Sequence, residues 1–216
     1  MSNLKRSIVA SIFVTTLACP VLALANYAES VNGDLSGNFQ NPTPIALVPN
    51  GSTTISGTIQ GAGSGVSIDL DFFTVAVPVG QVLSAVDVLP GTAVGGVGSF
   101  IGLYSGSTAV DPATAASTDA LGYYLYRATD IGTDILDNIA TFNFGGTNPS
   151  IGFVPPLPAG NYTFWIQEGF NGIFPYNFEL ALSASPSAVP EPSMAVGLLI
   201  GLGGLVSLRR HRRESK

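Results

Sequence analysis

The sequence predicts an all-β body, a two-sheet antiparallel β-sandwich of jelly-roll-like form, flanked by an N-terminal signal helix and a C-terminal transmembrane helix. Three observations carry this expectation. Between residues 26 and 187 the apolar side chains recur with period 2 in short runs. The runs are separated by Gly, Pro, Asn and Ser, and the chain holds 26 Gly and 15 Pro, which favour turns over long helices. No amphipathic helix of useful length is visible in the body.

Taken in order, Ser52 to Gln60 is a Thr-rich strand, and Val66 to Val77 (VSIDLDFFTVAV) is a stronger one. The second places Val66, Ile68, Leu70 and Phe72 on one face and Asp69, Asp71, Phe73, Val75 and Val77 on the other. Its end is apolar on both faces, which suits a central strand. Pro78-Val79-Gly80 is a turn, and Gln81 to Leu89 follows. Ser99 to Tyr104, Leu121 to Ala128, Ile139 to Phe144, Tyr162 to Gln167 and Tyr176 to Leu182 complete the strands. Eight strands suit two packed sheets with the Phe, Val and Trp165 side chains between them. Residues 90–98 and 145–156 read as Gly/Pro loops.

Charge is sharply segregated. Only 10% of the chain is charged, against a usual figure of roughly 25%. Lys5 and Arg6 stand at the start, and Arg209, Arg210, Arg212, Arg213 and Lys216 at the end. From Asn26 to Pro192 one base, Arg127, faces thirteen acids, a net charge of −12. So acidic a body repels phosphate backbones and excludes nucleic acid as a partner. The single Cys (Cys19) and single His (His211) both lie in the terminal segments, so no Ser-His-Asp, Cys-His or imidazole metal site can be built in the body.

The ends divide the chain into residues 1–25, 26–187 and 188–216. In the first, Lys5 and Arg6 precede an apolar run from Ile8 to Leu24, and Ala23-Leu24-Ala25 gives a small-x-small pattern. Signal peptidase is expected to cut between Ala25 and Asn26. An uncleaved anchor and lipidation of Cys19 are the alternatives, the second disfavoured by Thr16 and Pro20 around a weak lipobox. At the other end, Met194 to Leu208 is uncharged and ends on Arg209-Arg210-His211-Arg212-Arg213. Fifteen helical residues span about 23 Å, and snorkelling arginines and flanking residues extend them towards the roughly 30 Å of a bilayer core. Basic flanks stay in the cytoplasm, so residues 194–208 form a membrane helix stopped by Arg209, Arg210, Arg212 and Arg213, and the acidic body is exported.

Just before that span stands Val189-Pro190-Glu191-Pro192-Ser193, held extended by its prolines. Pro190-Glu191-Pro192, a short Gly-rich apolar helix and a terminal Arg cluster resemble the PEP-CTERM sorting signal of Gram-negative bacteria. The resemblance implies recognition of the tripeptide by an exosortase in the inner membrane, removal of the tail, and delivery to the cell surface or an exopolysaccharide matrix. In the body, Asp69-Leu70-Asp71-Phe72-Phe73-Thr74-Val75, Gly80-Gln81-Val82-Leu83, Leu157-Pro158-Ala159-Gly160-Asn161-Tyr162-Thr163 and Tyr176-Asn177-Phe178-Glu179-Leu180 resemble bacterial pre-peptidase C-terminal-type β-sandwiches. The insertion at 111–156 departs from their usual length. The resemblance implies an accessory module without catalysis of its own.

Few residues are left as site candidates. Asp69 and Asp71 share one strand face about 7 Å apart and could hold Ca²⁺ with loop carbonyls; a solvated strand start is the plainer reading and is favoured. Asp130, Asp134 and Asp137 do not match EF-hand spacing and read as a wet outer loop. A carboxylate pair for glycoside hydrolysis arises by chance among thirteen acids, so no enzyme activity is expected. Tyr123, Tyr124 and Tyr126 on one strand, and Phe164, Trp165, Phe170, Phe174 and Tyr176 near another, could stack on sugars or simply fill the core. The sequence therefore points to an exported, non-enzymatic surface or matrix protein. The alternative is a carbohydrate- or calcium-dependent binding module of the envelope.

Overall fold

A computed structural model describes residues 26–61 and 67–186. The elements follow in chain order: β1 (Asn26–Ala28), α1 (Glu29–Asn32), β2 (Thr43–Ile45), β3 (Ser52–Gly61), β4 (Leu70–Val77), β5 (Gln81–Val88) and β6 (Ser99–Ser105). After them come β7 (Gly122–Tyr126), α2 (Leu136–Thr141), β8 (Asn143–Phe144), β9 (Asn148–Pro149), β10 (Gly160–Gln167) and β11 (Gly172–Ala184). The chain divides into two units, Met1–Ser183 and Ala184–Lys216, and the architecture below is that of the first.

Two sheets carry the body. One has the order β1-β3-β11-β5 and the other β2-β4-β10-β6-β7, while β8 and β9 form a small hairpin of their own. The two sheets share one hydrophobic core. Ile55, Ile59, Leu83, Val86, Tyr176, Phe178 and Leu180 from the first meet Phe73, Val75, Ile101, Leu103, Tyr126, Phe164 and Ile166 from the second. Strand β10 sits at the centre of its sheet, antiparallel to β4 on one side and to β6 on the other. Its Phe164 is fully buried and stacks on Phe73 of β4, with ring centroids 4.9 Å apart. Such a pair combines area burial with a preferred ring geometry.

The alternation predicted for the central strands is present. In β4, Asp71, Phe73, Val75 and Val77 alternate with Phe72, which packs into a second cluster with Tyr104, Ala120 and Trp165. That second cluster lies on the opposite face of the five-stranded sheet, because successive side chains point to opposite faces.

Three expectations need correction. The sheets are mixed rather than wholly antiparallel, since β1 runs parallel to β3 and β2 parallel to β4. Both are three-residue edge strands laid down early in the chain, each with more than twenty residues before its partner, so a long connection permits parallel pairing. The stretch from Ile139 to Phe144 is not one strand: it begins as the end of α2, and only Asn143–Phe144 is extended, as β8. Leu136, Ile139 and Ala140 are the buried residues of α2, at helical rather than alternating spacing, and the Asp134 carboxylate accepts the Leu136 N–H at its start. The strand predicted to begin at Val66 begins at Leu70, and Val66 lies outside the described residues.

The signal segment, the Pro190-Glu191-Pro192 motif, the expected membrane helix at 194–208 and Arg209, Arg210, Arg212 and Arg213 also lie outside the described residues. Among the described residues, no helix is long and apolar enough to cross a membrane. If the Phe73–Phe164 stack anchors the core, Phe164→Ala should cost about 3–5 kcal/mol in urea unfolding. Phe144→Ala, at a side chain 54% exposed, should cost no more than about 0.5 kcal/mol.

Candidate functional site

An acidic cluster forms where α1 and the loop after it meet the beginning of β4. Glu29 comes from α1, Asp34 from the loop after it, and Asp71 from the second position of β4. One oxygen from each lies within 4.8 Å of the others. The pairing of β1 with β3 brings Glu29 onto β3, where its Oε2 accepts the Thr58 N–H at 2.8 Å. Its Oε1 accepts the Leu35 N–H at 3.2 Å and the Tyr176 hydroxyl at 2.9 Å. Gly57 makes this approach feasible. A β-carbon there would fall 2.3 Å from Glu29 Oε2 and 2.4 Å from the Tyr176 oxygen.

Asp71 is different in kind. It lies on the core side of β4, its exposure is 0%, and neither carboxylate oxygen has a hydrogen-bond partner among the described residues. Burial above all, and then the neighbouring Glu29, push its pKa up to about 8, against the opposing influence of the nearby Tyr176 hydroxyl, whose hydrogen bond goes to Glu29. Tyr176 is itself pushed well up, by burial and by Asp71 and Glu29, and stays a donor. Asp69 precedes β4 and is half-buried; its carboxyl is raised by burial, then by Asp34 and Glu29. The two predicted candidates thus part company. Asp71 joins Glu29 and Asp34, whereas Asp69 stands beside the cluster and outside it.

Sequence reasoning passed over Glu29 and Asp34, which stand about forty residues before Asp71. A signal for Asp71 was present, because an acid occupied the same alternating row as Phe73, Val75 and Val77. A groove of about 570 Å³ opens over the region and is lined by Glu29, Asp34, Ser56, Thr58, Tyr176 and Asn177, among others.

Several other acids of the body are held by backbone donors. Glu168 is fully buried and accepts the Gly95 and Phe170 N–H groups and the Ser99 hydroxyl. Asp134 accepts from Val86 and Leu136, and Asp130 from the Arg127 N–H. The Asp130–Asp134–Asp137 stretch is therefore a loop-and-helix-start device rather than a wet loop alone.

A second groove, of about 430 Å³, lies on the outer face of the five-stranded sheet. Phe100, Tyr104, Tyr123, Leu125, Phe144 and Trp165 are among its lining residues. Trp165 is only 7% exposed and packs edge-on to Phe100 at 4.8 Å, so it is a floor and not a projecting platform. Of the other predicted aromatics, Tyr126, Phe164 and Tyr176 belong to the core, and Phe170 is exposed.

No protein-family model, curated protein or solved structure matches the chain. A raised carboxyl pKa means that folding favours the protonated form. Its stabilising contribution is complete below the ordinary carboxylate range and is lost as the pH rises through about 8. In chelator, the wild type should lose on the order of 4 kcal/mol between pH 5 and pH 9 through this group. Asp71→Asn, compared by urea unfolding at both pH values, should flatten that loss.

Proposed function

We propose that the chain is an exported, non-enzymatic cell-surface or exopolysaccharide-matrix protein of a Gram-negative bacterium, delivered by its two ends. The observation that carries this reading is the order of features at the C-terminus: Pro190-Glu191-Pro192, fifteen uncharged residues, then four arginines within five positions. The PEP-CTERM resemblance makes the tripeptide the contact for an exosortase and the apolar run a temporary anchor at 194–208. Signal peptidase would release the N-terminus at Asn26, the first residue of β1, whose side chain accepts the Thr54 N–H. The body would then be a jelly-roll-like β-sandwich of the pre-peptidase C-terminal type. Its abundance of acids over bases keeps copies apart by repulsion during delivery.

A carbohydrate-binding module of the envelope is a second reading, favoured by the aromatic groove on the outer sheet face. Phe100, Tyr104 and Tyr123 line it, and planar rings offer apolar faces to the C–H surface of a sugar.

The sorting reading is tested by intact mass and fractionation of the protein made in its host, with and without Glu191→Ala. Wild type should begin at Asn26, lack the terminal arginines and appear in the medium or matrix, while the variant stays in the membrane. Wild type that keeps its arginines and remains membrane-bound would overturn it.

A further inference from the structure

We infer that Glu29, Asp34 and Asp71 form a binding site for a calcium ion. The proposal goes beyond export and matrix delivery and does not depend on them. It stands on two observations. The first is spacing: an oxygen from each carboxylate lies within 4.8 Å of the others. Oxygens bound to Ca²⁺ at 2.3–2.6 Å on opposite sides of the ion are about 5 Å apart, so one cation can touch all three.

The second is the state of Asp71. Its carboxyl is wholly buried and both oxygens lack a hydrogen-bond partner among the described residues. Buried polar groups are satisfied in the great majority of cases, and this protein shows how with Glu168, equally buried and holding three donors. No basic side chain is available to Asp71, since Arg127 is the sole Lys, Arg or His between residues 26 and 186. A divalent cation supplies the missing partner for both oxygens and removes the repulsion from Glu29.

The remaining geometry allows it. Among the described residues Glu29 Oε2 accepts only the Thr58 N–H and keeps a lone pair, and Asp34 is exposed and lines the groove, open to an entering ion. The donor set is all oxygen, which suits a hard cation and not zinc or copper. Three carboxylates exceed the one or two with which Mg²⁺ is usually held, so calcium is favoured over magnesium. Backbone carbonyls and water would complete six to eight ligands. The ion would tie α1 and the loop after it to β4.

The test is calorimetric titration of the full chain, purified in detergent and stripped with chelator, with CaCl₂ and with MgCl₂ at fixed ionic strength. One saturable calcium site is expected, with Kd between about 10⁻⁵ and 10⁻³ M, spanning the weak sensors and extracellular modules. Mg²⁺ should bind at least tenfold more weakly. Asp71→Asn should abolish binding, and Asp34→Asn, at an exposed side chain that leaves the core intact, should weaken it at least tenfold. Asp137→Asn on α2 should leave it unchanged. No saturable binding up to about 10 mM calcium, roughly tenfold above the Kd of the weakest extracellular sites, or an affinity that survives both Asp34→Asn and Asp71→Asn, would overturn the proposal.

Discussion

The constraint on which this structure depends is a shortage of positive charge. Residues 26–186 contain twelve carboxylates and one guanidinium, so ion pairing is closed to almost every acid. The fold answers mainly with backbone N–H groups. Glu168 gathers the loop before β6 and the turn after β10 through Gly95, Ser99 and Phe170. Asp134 joins β5 to α2, and Glu29 pins the chain's start to β3 and β11. Each of these contacts carries a charge-assisted hydrogen bond, stronger than a neutral one, and each fastens a connection that the sheets alone would leave loose. Of the two fully buried acids among the described residues, Asp71 is the one to which this solution was not applied.

Around that electrostatic frame the packing is conventional in its physics. Core-facing rows from β4, β10, β6 and β7 meet rows from β3, β11 and β5, and aromatic pairs such as Phe73–Phe164 and Tyr126–Phe178 fill the middle. The outer face of the five-stranded sheet carries its own aromatic layer. Gly102 on β6 makes room there: a β-carbon would meet Phe100 at 3.0 Å and Tyr104 at 3.4 Å. One side chain fewer in the middle of the sheet leaves three rings able to lie close together and a groove beside them.

Much of the fold was legible in the residues, and the reason is short apolar runs with clear punctuation. Gln81 to Val88 and Ser99 to Ser105 are apolar-rich and bounded by turn residues, so their extents in the sequence and in the structure differ by about one residue at most. The misses share a different cause. Strands β1 and β2 are three residues long, too short for any period to show, and α2 is a six-residue helix whose Ile139 also fits an alternating row. The acidic cluster was half legible. Asp71 was a candidate only together with Asp69, for which a solvated strand start was favoured, although it shares the row of Phe73, Val75 and Val77; only the parallel pairing of β1 with β3 brings Glu29 to it, and pairing over that separation leaves no local mark.

The most direct test of this account is a crystal structure of the chain grown with calcium, with anomalous data collected at long wavelength. The account predicts an anomalous peak bridging Glu29, Asp34 and Asp71, with carboxylate oxygens at about 2.3–2.6 Å from it. A map with no peak, and with Asp71 instead sharing a proton with Glu29 or bonded to ordered water, would contradict it.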